Sequence, residues 1–446
     1  MKVLVEMRAK PELHMSAMAM AVAPAAMYAL GNAVPGLTLD PTYPPVQVPA
    51  VSSPTGAPLQ SFSQPAIFSF SPVHSTYLIR GEVPDGGDGV AAYNTAMAHP
   101  DVVAVYADPR IESCLTCVGS PAVGTWIDVA QALAVSELAA AGMTGKGVPL
   151  AIVDTGTNLA HLATRGISPA LDAENSFVPP SITTQPGQHP VDHGTMCGFD
   201  ALIAAPQATL LDHAVLLSRR AGQTAMEGLL SDAVLSYQKL RGVLAAMPAQ
   251  HRALVVSNSW GMFSPAWDFP VGHPGNYSDN PKHPFNIIVA SLEAAGADIL
   301  FAAGNCGRDC PDGRCGFGTT LSICGANSHP SVLCVAGCDL NKSRVGYSSQ
   351  GPGRLMVKKP DVTTFTHFTG SQVYALGPDS GTSAACPVAA GVVAAIRTIY
   401  PSSQLSPLQL RVLIAKSARD AGNKGYDNDY GYGILDVGAL QSALQL

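Results

Sequence analysis

Four short segments of this chain hold side chains that could move an acyl group, and each stands where a strand end or a helix start would present it. Asp154 closes the apolar run Leu150-Ala151-Ile152-Val153 and is followed by Thr155-Gly156. A carboxylate there can accept a hydrogen bond from an imidazole and fix its tautomer; an aspartate in a turn before glycine is the ordinary alternative. His193 sits in Asp192-His193-Gly194-Thr195, just before a small-residue helical stretch at Phe199–Ala205. Its charge changes near neutrality, as a general base requires. With 12 histidines in the chain a single one decides nothing, and a surface-loop histidine is the plain alternative. Ser383 lies in Gly381-Thr382-Ser383-Ala384-Ala385-Cys386-Pro387, with a long small-residue helix following, roughly to Ile399. A hydroxyl at a helix N-terminus puts developing negative charge beside unpaired backbone N–H groups, whereas a serine that only caps the helix needs no chemistry. Asn305 follows Ile299-Leu300-Phe301-Ala302-Ala303-Gly304, a buried-strand run ending in a glycine turn. Its amide can donate to a tetrahedral oxyanion or can simply occupy a left-handed turn.

Such residues need a frame to converge. The apolar runs Pro149–Val153, Leu210–Leu217, Leu254–Ser257, Ile299–Ala302 and Val332–Val335 alternate with helical stretches. Uninterrupted apolar strands separated by helices predict an α/β fold, a mostly parallel sheet with helices on both faces. In that architecture reactive residues gather at the carboxyl ends of strands. The first quarter reads differently. Val3-Leu4-Val5, Ser16–Leu30, Leu37-Thr38-Leu39, Thr76-Tyr77-Leu78-Ile79, Gly89–Ala98 and Val102–Tyr106 spell strand, helix, strand, strand, helix, strand, a small α+β ferredoxin-like pattern. The Pro/Ser-rich stretch from Pro41 to Pro72 is too proline-dense for a helix or a sheet interior and reads as a loop. The organisation expected is a module over 1–112, a linker over 113–128 with Gly119, Pro121 and Gly124, and a second domain over 129–446.

Composition narrows the partners. A chain of 446 residues suits a core of about 300 residues plus an extra module. With 47% hydrophobic and 13% charged residues it can bury a large core. A net charge of −7 without a Lys/Arg cluster argues against a nucleic-acid partner. No run reaches the roughly 18 apolar residues of a bilayer span. Met15–Leu30 comes nearest, but Pro24 interrupts it, and the preceding Met1–Lys10 mixes Glu6 with Lys2, Arg8 and Lys10 and alternates like a strand. That favours a cytoplasmic over a secreted chain.

Taken together, and in this order, the segments DTG, HGT, AAGN and GTSxxxP on an alternating α/β chain resemble the subtilisin-like serine proteases, over roughly Val129 to Leu446. Thr144-Gly145-Lys146-Gly147, Ser257-Asn258-Ser259-Trp260-Gly261, Lys359-Pro360-Asp361-Val362 and Tyr430-Gly431-Tyr432-Gly433 match further landmarks of that family. The resemblance implies a serine endopeptidase with Ser383 as nucleophile, His193 as base and later acid, Asp154 orienting the imidazole, and Asn305 with the Ser383 N–H as oxyanion hole. It implies a substrate groove lined by Ser259, Trp260, Gly261, Ala302, Ala303 and Gly304, binding an extended peptide or protein segment along an exposed backbone edge. Met262 stands where the family commonly has a second glycine, and Trp260 is bulkier than the usual aliphatic residue. The alternative from another class is a protease-fold binding or scaffold protein that holds peptides without turnover.

The same resemblance extends to residues 1–112, similar to the inhibitor-type propeptide of subtilases, most clearly at Val102–Pro109. It implies a self-processed precursor, a zymogen whose own N-terminal module chaperones and inhibits it and leaves its tail, Ile111-Glu112-Ser113, in the groove; a permanent, uncleaved domain is the alternative. Six of ten cysteines fall between Cys306 and Cys338, and Cys114 and Cys117 form a CxxC. Cys306-x3-Cys310-x4-Cys315 abuts Asn305 with spacings that suit disulfides or thiols better than zinc. Cys197 and Cys386, in apolar contexts, read as buried hydrophobes; the functional alternative is inhibition through oxidation or mercurials. No cofactor is required. Calcium often stabilises this family, yet Asp427-Asn428-Asp429 is too little to specify a site.

Overall fold

The computed structural model describes residues 1–52, 66–113, 120–180, 182–217 and 226–444. In chain order its first strands are β1 (Lys2–Met7), β2 (Thr38–Leu39), β3 (Val46–Val48), β4 (Ala50–Ser52), β5 (Ile67–Ser69), β6 (Thr76–Glu82) and β7 (Val102–Ala107). The sheet order β2-β6-β1-β7, antiparallel throughout, is that of the split βαβ arrangement. Side chains alternate between two buried faces: Val3, Val5 and Met7 join Leu13, Leu30, Ile79 and Ala92 in the module's own core, while Leu4 faces the core of the larger sheet. Two expectations change here. The helix expected over Ser16–Leu30 is two helices, Pro11–Met18 and Pro24–Ala33, because Met20 takes a positive φ of 48° and Pro24 starts the second helix. The proline-rich stretch is not all loop. Its β3 pairs with β6 on the side that β2 also occupies, and β4 pairs with β5. Prolines bound these short strands at 45 and 49, where no ladder hydrogen bond is lost. Most of the rest of the stretch, residues 53–65, lies outside the described residues.

Beyond β8 (Arg110–Ser113) come β9 (Pro149–Asp154), β10 (Ala170–Leu171), β11 (Thr209–Ala214), β12 (Glu227–Leu229), β13 (Leu254–Asn258), β14 (Trp260–Gly261), β15 (Ala297–Ala302), β16 (Leu333–Cys338) and β17 (Val362–Phe365). Seven of them, in the order β10-β11-β9-β13-β15-β16-β17, make one fully parallel sheet among the described residues. Apolar side chains on both its faces feed two cores, one around helix Thr382–Arg397 and one around helices Leu230–Ala246 and Pro284–Ala294. The α/β expectation holds, with strands on every predicted run. Strand order reverses between β9 and β13, and sites of such sheets are found at that point outside the strands' carboxyl ends.

The expected linker is shorter than its span. Ser113 belongs to β8, and Thr125 already caps the helix Trp126–Ala132 through a reciprocal pair with Asp128; residues 114–119 lie outside the described residues. Strand β8 follows the module and pairs with strands of the larger region. It forms a three-stranded antiparallel ribbon with β12 and β14, pairing Glu112 with Gly261 and Ser113 with Trp260.

Candidate active site

Three chain segments deliver the reactive groups to this end of the sheet. Asp154 is the last residue of β9 and 1% exposed. Helix His193–Leu202 starts at His193 itself, earlier than the stretch at Phe199 suggested, because Asp192 caps it with a carboxylate on the His193 N–H at 2.8 Å. Gly194 is required there: a Cβ would stand 2.5 Å from the Gly156 carbonyl oxygen, and the Gly194 N–H donates to Thr155 Oγ1 at 2.8 Å. Ser383 is the second residue of helix Thr382–Arg397 and fully buried.

His193 Nδ1 and Asp154 Oδ1 are 2.8 Å apart. A carboxylate only accepts, so Nδ1 carries the proton and Nε2 keeps its lone pair. Among the described residues Nε2 has no hydrogen-bond partner. Burial alone would lower the imidazole's pKa; the Asp154 carboxylate and its hydrogen bond, helped by Asp192, outweigh it and leave the pKa above the ordinary value, with the Arg314 charge pulling the other way. Cys197 Sγ links the parts, 3.7 Å from Asp154 Oδ2, 3.7 Å from His193 Nδ1 and 3.4 Å from the Ser383 carbonyl oxygen. Burial pushes that thiol's pKa well up, so it stays protonated. The Ser383 Oγ lies 3.5 Å from the Ser259 carbonyl, and Ser259 Oγ donates to the Ser383 carbonyl at 3.0 Å.

Asn305 follows β15 through Gly304, whose φ of +98° favours glycine. The Asn305 Oδ1 accepts from Thr382 N–H at 2.9 Å and Thr382 Oγ1 at 3.1 Å. Thr382 Oγ1 lies 3.0 Å from the Gly304 N–H, which donates to it. The amide is thereby held beside the helix start that carries Ser383, its oxygen engaged by Thr382. Thr382 was missed as a positioning residue; its place beside the serine was the available signal.

The residues expected to line a groove are linked to one another. Asn327 Nδ2 donates to the carbonyls of Trp260 at 2.8 Å and Ala302 at 2.9 Å, tying the β14 wall to the wall formed by Ala302, Ala303 and Gly304. Trp260 and Gly261 offer backbone to β8, but the Trp260 ring points away, fully buried against Phe285 and Phe301. Its bulk therefore fills core, not groove. Cys306 and Cys315 form a disulfide, and Cys310 is also disulfide-bonded. Cys197, Cys324, Cys334, Cys338 and Cys386 are buried thiols.

Residues 145–433, more than half of the chain, match the subtilase family. The chain belongs to the subtilase family. It is 26% identical to subtilisin E of Bacillus subtilis (strain 168) over 309 residues, covering 67% of this chain and 66% of that protein. With subtilisin BL of Lederbergia lenta identity is 27%, over 67% of this chain and 92% of the relative. With subtilisin DY of Bacillus licheniformis it is 31% over 34% of this chain. The chain spans about half the length of subtilisin DY and about two thirds of subtilisin E. The subtilase match begins at Gly145, so the module over 1–112 lies outside it. No helix among the described residues is long and apolar enough to cross a membrane.

Proposed function

We propose that this subtilase is a serine endopeptidase in precursor form, with its N-terminal module seated in its own groove. The observation that carries the reading is the buried 2.8 Å Asp154–His193 hydrogen bond beside a serine at a helix N-terminus. In the reaction, Ser383 Oγ attacks the scissile carbonyl carbon while its proton passes to His193 Nε2, and Asp154 holds the imidazolium. The carbonyl oxygen becomes an oxyanion facing Asn305 and the Ser383 N–H. Return of the proton to the amine releases the first product. Water, deprotonated by the same imidazole, then cleaves the acyl-enzyme. The substrate is an extended peptide or protein segment that adds a strand beside β14, as β8 does.

The module's docking supports the inhibitor role. Both Asp108 carboxylate oxygens accept from Ser231, its N–H and its Oγ, each at 2.7 Å, at the start of helix Leu230–Ala246. Buried Arg80 bridges Asp40 of the module to Asp232 of that helix. His283 Nε2 meets the Ala107 carbonyl at 3.1 Å. Ile111, Glu112 and Ser113 then enter the groove, all buried.

The chemistry needs no cofactor. The Asp427 carboxylate accepts from three backbone N–H groups, of Asn423, Asp429 and Tyr430, and Asp429 pairs with Arg308. These contacts support reading the segment as a solvated turn.

A second reading, peptide binding without turnover, draws on the Ser383 hydroxyl, which faces the Ser259 carbonyl while Nε2 has no partner among the described residues. Catalytic hydrogen bonds are often loose before substrate binds and tighten afterwards. One experiment separates the two: masses of the wild-type chain and Ser383→Ala after expression, with a fluorogenic peptide and a serine-directed phosphonate. A shortened, labelled, active wild type beside a full-length, silent mutant is expected. Identical behaviour of both, without labelling, overturns the endopeptidase reading.

A further inference from the structure

Strand β8 shows what the groove grips besides backbone. Its side chains alternate. Ile111 is fully buried in the core cluster beneath the groove, while Arg110 and Glu112 point to the rim. There Glu112 meets Arg314: the guanidinium Nη1 is hydrogen-bonded to Glu112 Oε2, and Nη2 donates to the Ser113 carbonyl at 2.8 Å. Arg314 thus crosses the bound strand, holding one side chain and one backbone carbonyl of it.

Arg314 is pre-set for this grip. It belongs to the loop closed by the Cys306–Cys315 disulfide, directly after Asn305. Asp312 donates its N–H to the Asn305 carbonyl at 2.8 Å, and its carboxylate accepts from Arg314 Nε at 3.1 Å and Nη2 at 2.6 Å. The Phe263 ring lies 5.1 Å from the guanidinium carbon. A guanidinium has five N–H donors in a fixed fork; Asp312 takes the Nε side and leaves Nη1 aimed into the groove. Glu112 is only 5% exposed, so its carboxylate is largely removed from water and depends on such partners.

We infer that Arg314 is the specificity-determining residue of this groove, selecting peptides with a carboxylate side chain opposite Gly261. The inference rests on the endopeptidase reading and names its substrate class. The Ser259 carbonyl lies beside Ser383 Oγ, so the substrate residue opposite Ser259 is the one whose carbonyl is attacked. Counting back along the antiparallel register, the residue opposite Gly261 is the third before the scissile bond. Glutamate there reaches Arg314 as Glu112 does; lysine places like charge against it. Asp312 is a positioning residue, acting through Arg314.

The test uses the full chain and three fluorogenic peptides spanning residues 110–119, with alanine for both cysteines and Glu, Gln or Lys at position 112. A charge-assisted hydrogen bond predicts kcat/KM about 10-fold lower for Gln than for Glu, and lower again for Lys. Arg314→Glu should reverse the order, with Lys best. Equal kcat/KM for all three peptides, or an unchanged preference in Arg314→Glu, overturns the inference while leaving the endopeptidase reading intact. No cleavage of any peptide, with Ser383 unlabelled, overturns the endopeptidase reading instead. The contact itself is then tested in the Ser383→Ala chain by the rate at which added chymotrypsin cuts between module and body. Glu112→Lys and Arg314→Glu should each raise that rate several-fold and together restore it. A double variant as loose as the two singles combined overturns the contact as well.

Discussion

The reactive centre and the groove rim of this subtilase are built on opposite principles. Asp154, His193, Ser383 and Asn305 are all at most 3% exposed, each at a strand end or helix start, and held by backbone and by buried neighbours such as Thr155, Cys197 and Thr382. The rim is made of paired charges on a disulfide-closed loop and on the short strand β12: partly exposed Arg314, with Asp312 and Glu227 buried. The first arrangement fixes atoms where a misplacement of about 1 Å can cost 100-fold. The second holds its charges by pairing them with one another across separate segments. On the proposed reading, chemistry sits in the part held by backbone, and choice of substrate in the part held by charge pairs.

Substitutions at the centre should therefore have the largest effects and should not change peptide preference. Ser383→Ala and Asp154→Asn should each lower kcat about 10^4-fold or more, the second by spoiling the imidazole tautomer while the 2.8 Å geometry persists. Asn305→Ala should lower kcat roughly 10²- to 10³-fold with little change in KM, since its amide matters only once the oxyanion forms. Steady-state kinetics with one peptide check all three. A large rise in KM for Asn305→Ala would show that it binds ground-state substrate, and the contrast between centre and rim would weaken.

At the docking surface the effect should be smaller. Asp108→Ala removes the acceptor from the first turn of helix Leu230–Ala246, at a cost of about 1 kcal/mol. Module inhibition should weaken about 5-fold, read as the inhibition constant of the module added to processed enzyme. An unchanged constant would mean that Arg80 and His283 hold the module without it.

The same contrast explains what could be read along the chain. Strands of continuous apolar residues announce a buried parallel sheet, and DTG, HGT, AAGN and GTS mark where strands and helices turn at its mouth, so the centre was legible from local pattern. Trp260 was legible as a groove residue only by its backbone, because strand alternation sent its ring into the core. The split of Ser16–Leu30 turned on one left-handed residue, Met20, which no propensity indicates. Arg314 carried no signal at all. Its role depends on meeting Glu112, 202 positions earlier, across a groove that exists only after folding.

Centre and rim are nonetheless coupled through the field, and this gives the smallest effect. The Asp154 charge and hydrogen bond, against burial, hold the His193 pKa above its ordinary value, so the acid limb of kcat/KM should fall above pH 6.5, the free imidazole being the active form. The sign for stability is opposite: a raised pKa stabilises the fold below the unfolded value and loses that contribution as pH rises through the folded one. Arg314 opposes the raise by its positive charge. Arg314→Gln should therefore move the acid limb further upward, even for a peptide with glutamine opposite Gly261 that gains nothing from the arginine's hydrogen bond. Added salt should diminish the difference between the two enzymes, because Arg314 is partly exposed and its field is screened. A pH profile that does not move would confine Arg314 to binding and make the separation between the two regions complete.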